Sequence, residues 1–230
     1  MILLTEWSDW ETIFVEDKYM EFEYVPKSEF LPVKNELVEL INCVQDEVRE
    51  HFTFRFDFIG SASRNMITRQ INGNVGYDFD VNIRVNDPDE NYSAEQIKTI
   101  LRKGFDKYVK YFSYDYSEDS SRVITIKVKD TKNSRILHSC DFAIVFDCSD
   151  GRQQYIRFNK KDNSYSWEYQ PKGFYQLEKR IDAIKGEDDL WQDVRDLYLY
   201  KKCNNIDVNK KSRSIFAETI NEIYKANFNE

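Results

Sequence analysis

The 230-residue sequence has little of what makes a chain flexible, cross-linked or strongly basic. Seven glycines and four prolines leave little room for flexible linkers or low-complexity tracts. Its four cysteines, Cys43, Cys140, Cys148 and Cys203, show no paired-motif spacing, and the N-terminus lacks a secretory n- or h-region. No apolar run approaches the ~18 residues that a membrane helix needs. The expectation is a reduced, cytoplasmic protein with no membrane partner. Basic excess is also absent. At a net charge of −8 the chain is not coated for non-specific nucleic-acid binding, although a local basic cleft stays compatible with that total. There is no P-loop and no Gly-x-Gly-x-x-Gly run, and neither of the two histidines, His51 and His138, has a nucleophile-elbow context.

What is present is aromatic and strongly patterned. Most of the 16 phenylalanines and 15 tyrosines fall in alternating, strand-like segments. Residues 1–31 read as irregular and aromatic-rich (Trp7, Trp10, Phe14), with a short strand hinted at by Met20, Phe22 and Tyr24. Pro32 is expected to open a helix carrying Val33, Leu37, Leu40, Ile41, Val44 and Val48 on one face. Phe52, Phe54, Phe56 and Phe58 then alternate up to Gly60, which predicts a strand. After Gly60-Ser61 a short helix is expected to about Gln70, then a turn-rich loop over 71–76 and a strand over 77–85.

Ser93-Ala94-Glu95-Gln96 is a capping-box signature for a helix bearing Ile97, Ile100, Leu101, Phe105, Tyr108 and Phe112. Strands follow at 122–129 and 137–146, and a hairpin at 153–159 and 163–169. The remainder is helical, near 174–185, 189–203 and 212–227, with Asp188 or Asp189 and Ser212 as candidate caps. This order predicts an α+β fold on a mixed sheet. Residues 1–170 would form the core with its N-terminal helix, and 171–230 a C-terminal helical part packed on it.

The chemistry gathers in two places. Asp78 and Asp80 are two residues apart on one strand, so both side chains share a face. Asp141 lies within the apolar run Ile136–Val145; Asp147 points the same way but sits at the end of that strand, so Asp141 is preferred. Alone, an Asp-x-Asp pair reads as solvated edge carboxylates. Gly60-Ser61 changes that weight. Glycine lets a backbone approach a phosphate closely, and a helix start offers free N–H groups. Ser61, Ser63 and Arg64 add hydroxyl donors and a charge. Read plainly, Gly60-Ser61 is a helix N-cap and Arg64 a solvated cation.

Strand, Gly-Ser, helix, Asp-x-Asp strand and a later Asp strand together resemble the nucleotidyltransferase superfamily of the DNA polymerase β type, over roughly residues 33–170. The loop before Tyr77-Asp78-Phe79-Asp80-Val81 and the strand Cys140-Asp141-Phe142-Ala143-Ile144-Val145 look most like the branch of oligoadenylate synthetases, cyclic GMP-AMP synthase and bacterial cyclic-oligonucleotide synthases. The resemblance implies an enzyme that moves an NMP from an NTP, ATP among the candidates, to a hydroxyl on a nucleotide, RNA or protein. Gly60, Ser61, Ser63 and Arg64 would contact the triphosphate. Asp78, Asp80 and Asp141 would be the catalytic acids holding two Mg²⁺ or Mn²⁺ ions. Two differences from the family pattern stand out: Ala62-Ser63-Arg64-Asn65 offers no second glycine, and only about 60 residues follow the last expected strand. The alternatives are a non-catalytic nucleotide- or RNA-binding module, or the nucleotidyl-transferring part of a toxin–antitoxin or phage-defence pair.

Lesser signals take plainer readings. His138 and Cys140, with Cys148 or Cys203, match no zinc-ligand spacing and are assigned to packing. Lys201-Lys202 and Lys210-Lys211-Ser212-Arg213 are read as a solvated turn, reach to a triphosphate or nucleic acid being the alternative. Tyr165, Trp167 and Tyr169 are read as strand-face packing before base stacking.

Overall fold

The computed structural model describes residues 20–171, 174–207 and 209–228. The aromatic N-terminal stretch with Trp7, Trp10 and Phe14 lies outside them. In chain order the elements are β1 (Phe22–Tyr24), α1 (Lys27–Val48), β2 (Thr53–Ile59), α2 (Gly60–Ser63), β3 (Thr68–Gln70), β4 (Val75–Asn86) and α3 (Ala94–Tyr108). There follow β5 (Glu118–Asp119), β6 (Val123–Asp130), β7 (Arg135–Asp147), β8 (Gln153–Asn159), β9 (Ser164–Tyr169), α4 (Phe174–Lys185), α5 (Leu190–Cys203) and α6 (Ser212–Phe228). This is the expected α+β architecture on a mixed sheet.

Two expectations need correction. Pro32 does not open α1, which starts at Lys27 after Pro26 at the N-cap. Phe30, buried on the same stripe as Leu37, extends the apolar face one turn further back. The proline inside the helix withholds only one backbone N–H from an early turn. The helix after Gly60 does not reach Gln70 either: α2 is a single turn ending at Ser63. Asn65 turns into the left-handed region at φ 53°, which asparagine tolerates, and Thr68–Gln70 becomes a strand paired with β1. The capping box does form, with the Ser93 hydroxyl accepting from Gln96 N and the Gln96 side chain accepting from Ser93 N. Asp189 stands at the N-cap of α5 without a side-chain capping bond.

The main sheet runs β2-β4-β7-β6-β5, with β8 paired to the far half of β7 and β9 to β8. Among the described strands only β4 and β7 run parallel, the geometry that the α3 crossover permits. Strand alternation divides the sheet into two faces. One carries Phe79, Val81, Ile83, Ile124, Ile126, Cys140, Phe142 and Ile144, all buried beneath α1 and α3 in the main core. Leu37, Leu40, Ile41 and Val44 of α1 are completely buried there, each worth about 1.5–3 kcal/mol of transfer free energy. The other face carries the acids. A second, smaller core joins α4, α5 and α6 through Ile181, Ile184, Val194, Tyr198, Ile215, Phe216 and Ile220, and takes in Met66 from the segment after α2. Among the described residues no helix is long and apolar enough to cross a membrane.

Candidate active site

Register builds the site. Asp80 of β4 lies directly opposite Asp141 of β7, which lies opposite Thr125 of β6. One step along the same face, Asp78 is opposite Ser139, which is opposite Lys127. The acids therefore occupy two adjacent rows on the sheet face that α1 and α3 leave open. Thr125 Oγ1 donates to Asp141 Oδ1 at 2.5 Å, and Ser139 Oγ donates to Asp78 Oδ1. Asp80 accepts no hydrogen bond among the described residues. It sits instead under Gly60, where a Cβ would come within 2.5 Å of Asp80 Oδ2. Gly60 also has φ +64°, so glycine is required there both for backbone conformation and for space.

Asp78, Asp80 and Asp141 line a cleft of about 540 Å³ with Gly60, Ser61, Arg64, Met66, Thr68, Tyr198, Lys202, Lys211, Ser212, Arg213 and Phe216. One wall is anionic, the opposite wall cationic. Burial, then Asp141 and Asp78, push Asp80 up to about 6, against the pull of Arg64 and Arg213. Burial raises Asp141 as well, and its bond from Thr125 opposes the shift. On the other wall, burial lowers Lys202 to about 8 while Asp78 pulls it back. Its ammonium donates to Thr68 Oγ1 and lies 4.5 Å from the centre of the Phe22 ring. Burial lowers Arg64, whose guanidinium lies 4.1 Å over the Phe216 ring and whose buried Nε has no hydrogen-bond partner among the described residues.

Of the residues singled out in the sequence, Gly60, Ser61, Arg64, Asp78, Asp80 and Asp141 come together in this cleft. Ser63 does not: it is exposed and its hydroxyl donates to the Gly60 carbonyl at 3.0 Å. Because α2 has a single turn, any phosphate contact there rests on individual N–H groups and the Ser61 hydroxyl rather than on a helix dipole. Asp147, the other candidate for third acid, is held outside the cleft by Arg84 and Gln153. The solvated-turn reading needs correction for Lys202, which is half-buried in the cleft; Lys211, Ser212 and Arg213 are exposed, as that reading expects, and line the same cleft to complete its cationic wall. A signal was present. Val194, Tyr198 and Lys202 recur at four, as do Arg213, Phe216 and Ile220 at three and four, so both cations prolong buried stripes.

His138 packs on Tyr77 at 5.7 Å between ring centres, and burial lowers it to about 4. Tyr165 bonds Asp119 at 2.9 Å and Trp167 packs near Phe146, neither of them lining the acid cleft. A slightly larger cavity, about 600 Å³, lies by Tyr77 and His138 on the opposite face and holds none of the three acids. Its arginines are already paired, Arg69 with Glu23 and Glu29, Arg135 with Asp130.

No protein-family model matches the sequence, and no curated protein matches it. Solved structures do. The cyclic AMP-GMP synthase DncV of Vibrio cholerae, with the linear intermediate 5′ pppA(3′,5′)pG, superposes at TM-score 0.56 and 13% identity, over 87% of this chain and 54% of that one. Its apo form gives 0.55 and 15%, over 87% and 53%. The CD-NTase CdnG of Bradyrhizobium diazoefficiens, in complex with GTP, gives 0.52 and 12%, over 72% and 43%. The fold is that of a CD-NTase. The chain spans about half the length of these structures.

A divalent ion is the group such a fold implies, and the residues have to suit it. Among the described residues no three His, Cys, Asp or Glu side chains are already grouped around an ion position. The donor chemistry nevertheless fits. Three carboxylates crowd one cleft, and Asp80 is pushed toward protonation by burial first and then by the repulsion of the other two, which a hard, oxygen-seeking cation would relieve.

Proposed function

We propose that the chain is a metal-dependent nucleotidyltransferase that moves an NMP from an NTP to a hydroxyl acceptor and releases pyrophosphate. One observation carries this: Asp78, Asp80 and Asp141 face Arg64, Lys202, Lys211 and Arg213 across a single cleft closed by the Gly60-Ser61 turn. Asp78, Asp80 and Asp141 would hold two Mg²⁺ or Mn²⁺ ions. When bound, such ions neutralise phosphate charge and acidify the attacking hydroxyl. The protein's own part is positioning. Gly60 admits the backbone to close range of the phosphates, and Ser61 offers its hydroxyl. Arg64, Lys202 and Arg213 would draw the β- and γ-phosphates to the wall opposite the acids. Thus the α-phosphorus is held on the acid side, the acceptor oxygen bonds to it, and the bond to the pyrophosphate oxygen breaks. Asp141 would receive the acceptor's proton. Fixed charge and geometry supply most of the rate in transfers of this type.

The test is incubation with each labelled NTP and Mg²⁺ or Mn²⁺, alone and with total cellular RNA, followed by pyrophosphate release and product mass. Release that disappears in Asp78→Ala/Asp80→Ala supports the assignment. Nucleotide binding without release makes the chain a binding module, and an active double variant refutes the site.

A further inference from the structure

We propose that Thr125 and Ser139 are positioning residues that set the Asp141 and Asp78 carboxylates for cation binding. The inference rests on the acids being cation ligands, as proposed above. Three features of the sheet carry it. First, each hydroxyl is the direct cross-strand neighbour of its acid: Thr125 opposite Asp141, Ser139 opposite Asp78. Side chains so related share a face and lie within direct reach, so the pairing is written into the register. Second, each hydroxyl donates to one oxygen only, Oδ1 in both cases, and the second oxygen of each carboxylate accepts nothing among the described residues. Third, the hydroxyls are sheltered at the base of the site: Ser139 is 7% exposed and Thr125 and Asp141 are half-buried, while Asp78 itself is exposed.

A carboxylate rotates freely about its terminal torsion unless something holds it. With one oxygen fixed by a hydroxyl, its plane is set and its other oxygen is left for a cation. Asp80 needs no such partner, because Gly60 lies against its Oδ2 side and confines it sterically. The three acids are thus positioned by three different contacts, two hydroxyls and one glycine. Lys127, in register with Ser139, is engaged by Glu118 on β5 and so does not compete for Asp78.

Partners that orient metal ligands are typically worth about 10–100-fold in metal affinity. The experiment titrates Mn²⁺ alone into the full chain and reads free Mn²⁺ by electron paramagnetic resonance, with circular dichroism melts as a folding control. Thr125→Val, nearly isosteric, and Ser139→Ala are each expected to weaken Mn²⁺ binding by at least about tenfold, while Thr125→Ser retains it within about threefold. In an Asp141→Asn background, Thr125→Val is expected to cost nothing further, since the hydroxyl acts through that carboxylate. Wild-type Mn²⁺ affinity in folded Thr125→Val and Ser139→Ala overturns the inference and leaves the nucleotidyltransferase reading intact. If one of the two variants does not fold, the other decides alone. Mn²⁺ binding that is absent from the wild type, or unchanged by Asp80→Ala, overturns the metal assignment itself.

Discussion

Replacing Gly60 by alanine separates two costs that the structure assigns to different atoms. The first is backbone. At φ +64° an L-residue pays about 1–2 kcal/mol. For a domain of this size each kcal/mol lowers Tm by about 2–4 °C, so a drop of about 2–8 °C is expected. The second cost is steric, and it falls on Asp80. The new Cβ would stand 2.5 Å from Oδ2, so the carboxylate must retreat by about 1 Å to reach ordinary contact. A carboxylate end moves easily, hence this clash adds little to the stability loss. It does displace a proposed cation ligand, and displacements of that size cost on the order of 10²-fold in rate. Gly151 supplies the control, since its φ is +79° and nothing lies within 4 Å of its added Cβ. Gly151→Ala is therefore expected to lower Tm by a similar amount with wild-type turnover. Thermal melts and pyrophosphate release, measured on both variants, decide the matter. Equal melting losses with wild-type turnover in both would refute the placing of Asp80 under Gly60 as part of the site.

Other outcomes follow from the same geometry. Burial, then Asp141 and Asp78, push Asp80 up to about 6, so the folded state holds its proton more tightly, and its charge erodes stability as pH rises from about 4 to 6. Asp80→Asn should thus raise Tm of the metal-free protein at pH 7.5, give no gain at pH 4, and abolish turnover; equal melting shifts at both pH values would contradict this. Lys202, lowered to about 8, loses its charge as pH rises through that value, so KM for the NTP should climb between pH 7 and 9. Lys202→Gln should show a raised KM that is flat with pH, and a flat wild-type profile would remove Lys202 from the triphosphate wall. Asp147→Ala breaks a half-exposed contact with Arg84, worth about 0–1 kcal/mol, and should leave turnover unchanged. A dead Asp147→Ala variant would transfer the role of third acid from Asp141.

Local pattern made much of this legible in advance. Alternation placed Ile124, Ile126 and Val128 on one face, and the capping box marked the start of α3. The same period of two put Asp78, Asp80 and Asp141 on strand faces where a register could bring them together. Short or competing signals were harder. Three-residue strands such as β1 and β3 carry almost no periodicity, and β3 exists because Phe22–Tyr24 is there to pair with it. Pro32 looked like a helix start because a proline at a first turn and one in the next turn leave the same local pattern. The cations of α5 and α6 lack a sequence signature for a different reason. Lysines flanking a polar turn carry no mark of what lies across from them, and the sheet that faces them is distant in sequence. Only its place on the Val194-Tyr198 stripe distinguishes Lys202 from a solvated charge, while Lys211 and Arg213 stay exposed at the end of the Phe216-Ile220 stripe.

The electrostatics also explain why this arrangement takes two cores rather than one. Three carboxylates on one sheet face repel each other, so attraction among them cannot hold them there. Ladder hydrogen bonds of β4 and β7 do that, supported by the buried opposite face of the same strands. The balancing charges come from elsewhere: Lys202 ends α5, and Lys211 and Arg213 flank the start of α6, in helices with their own core. Met66 belongs to that second core although it follows the Gly60-Ser61 turn directly, and Arg64 lies on Phe216. The turn that confines Asp80 is thereby fastened to the helices that carry the cations. Movement of those helices would shift the cationic wall and the Gly60 turn together, against acids fixed by the sheet.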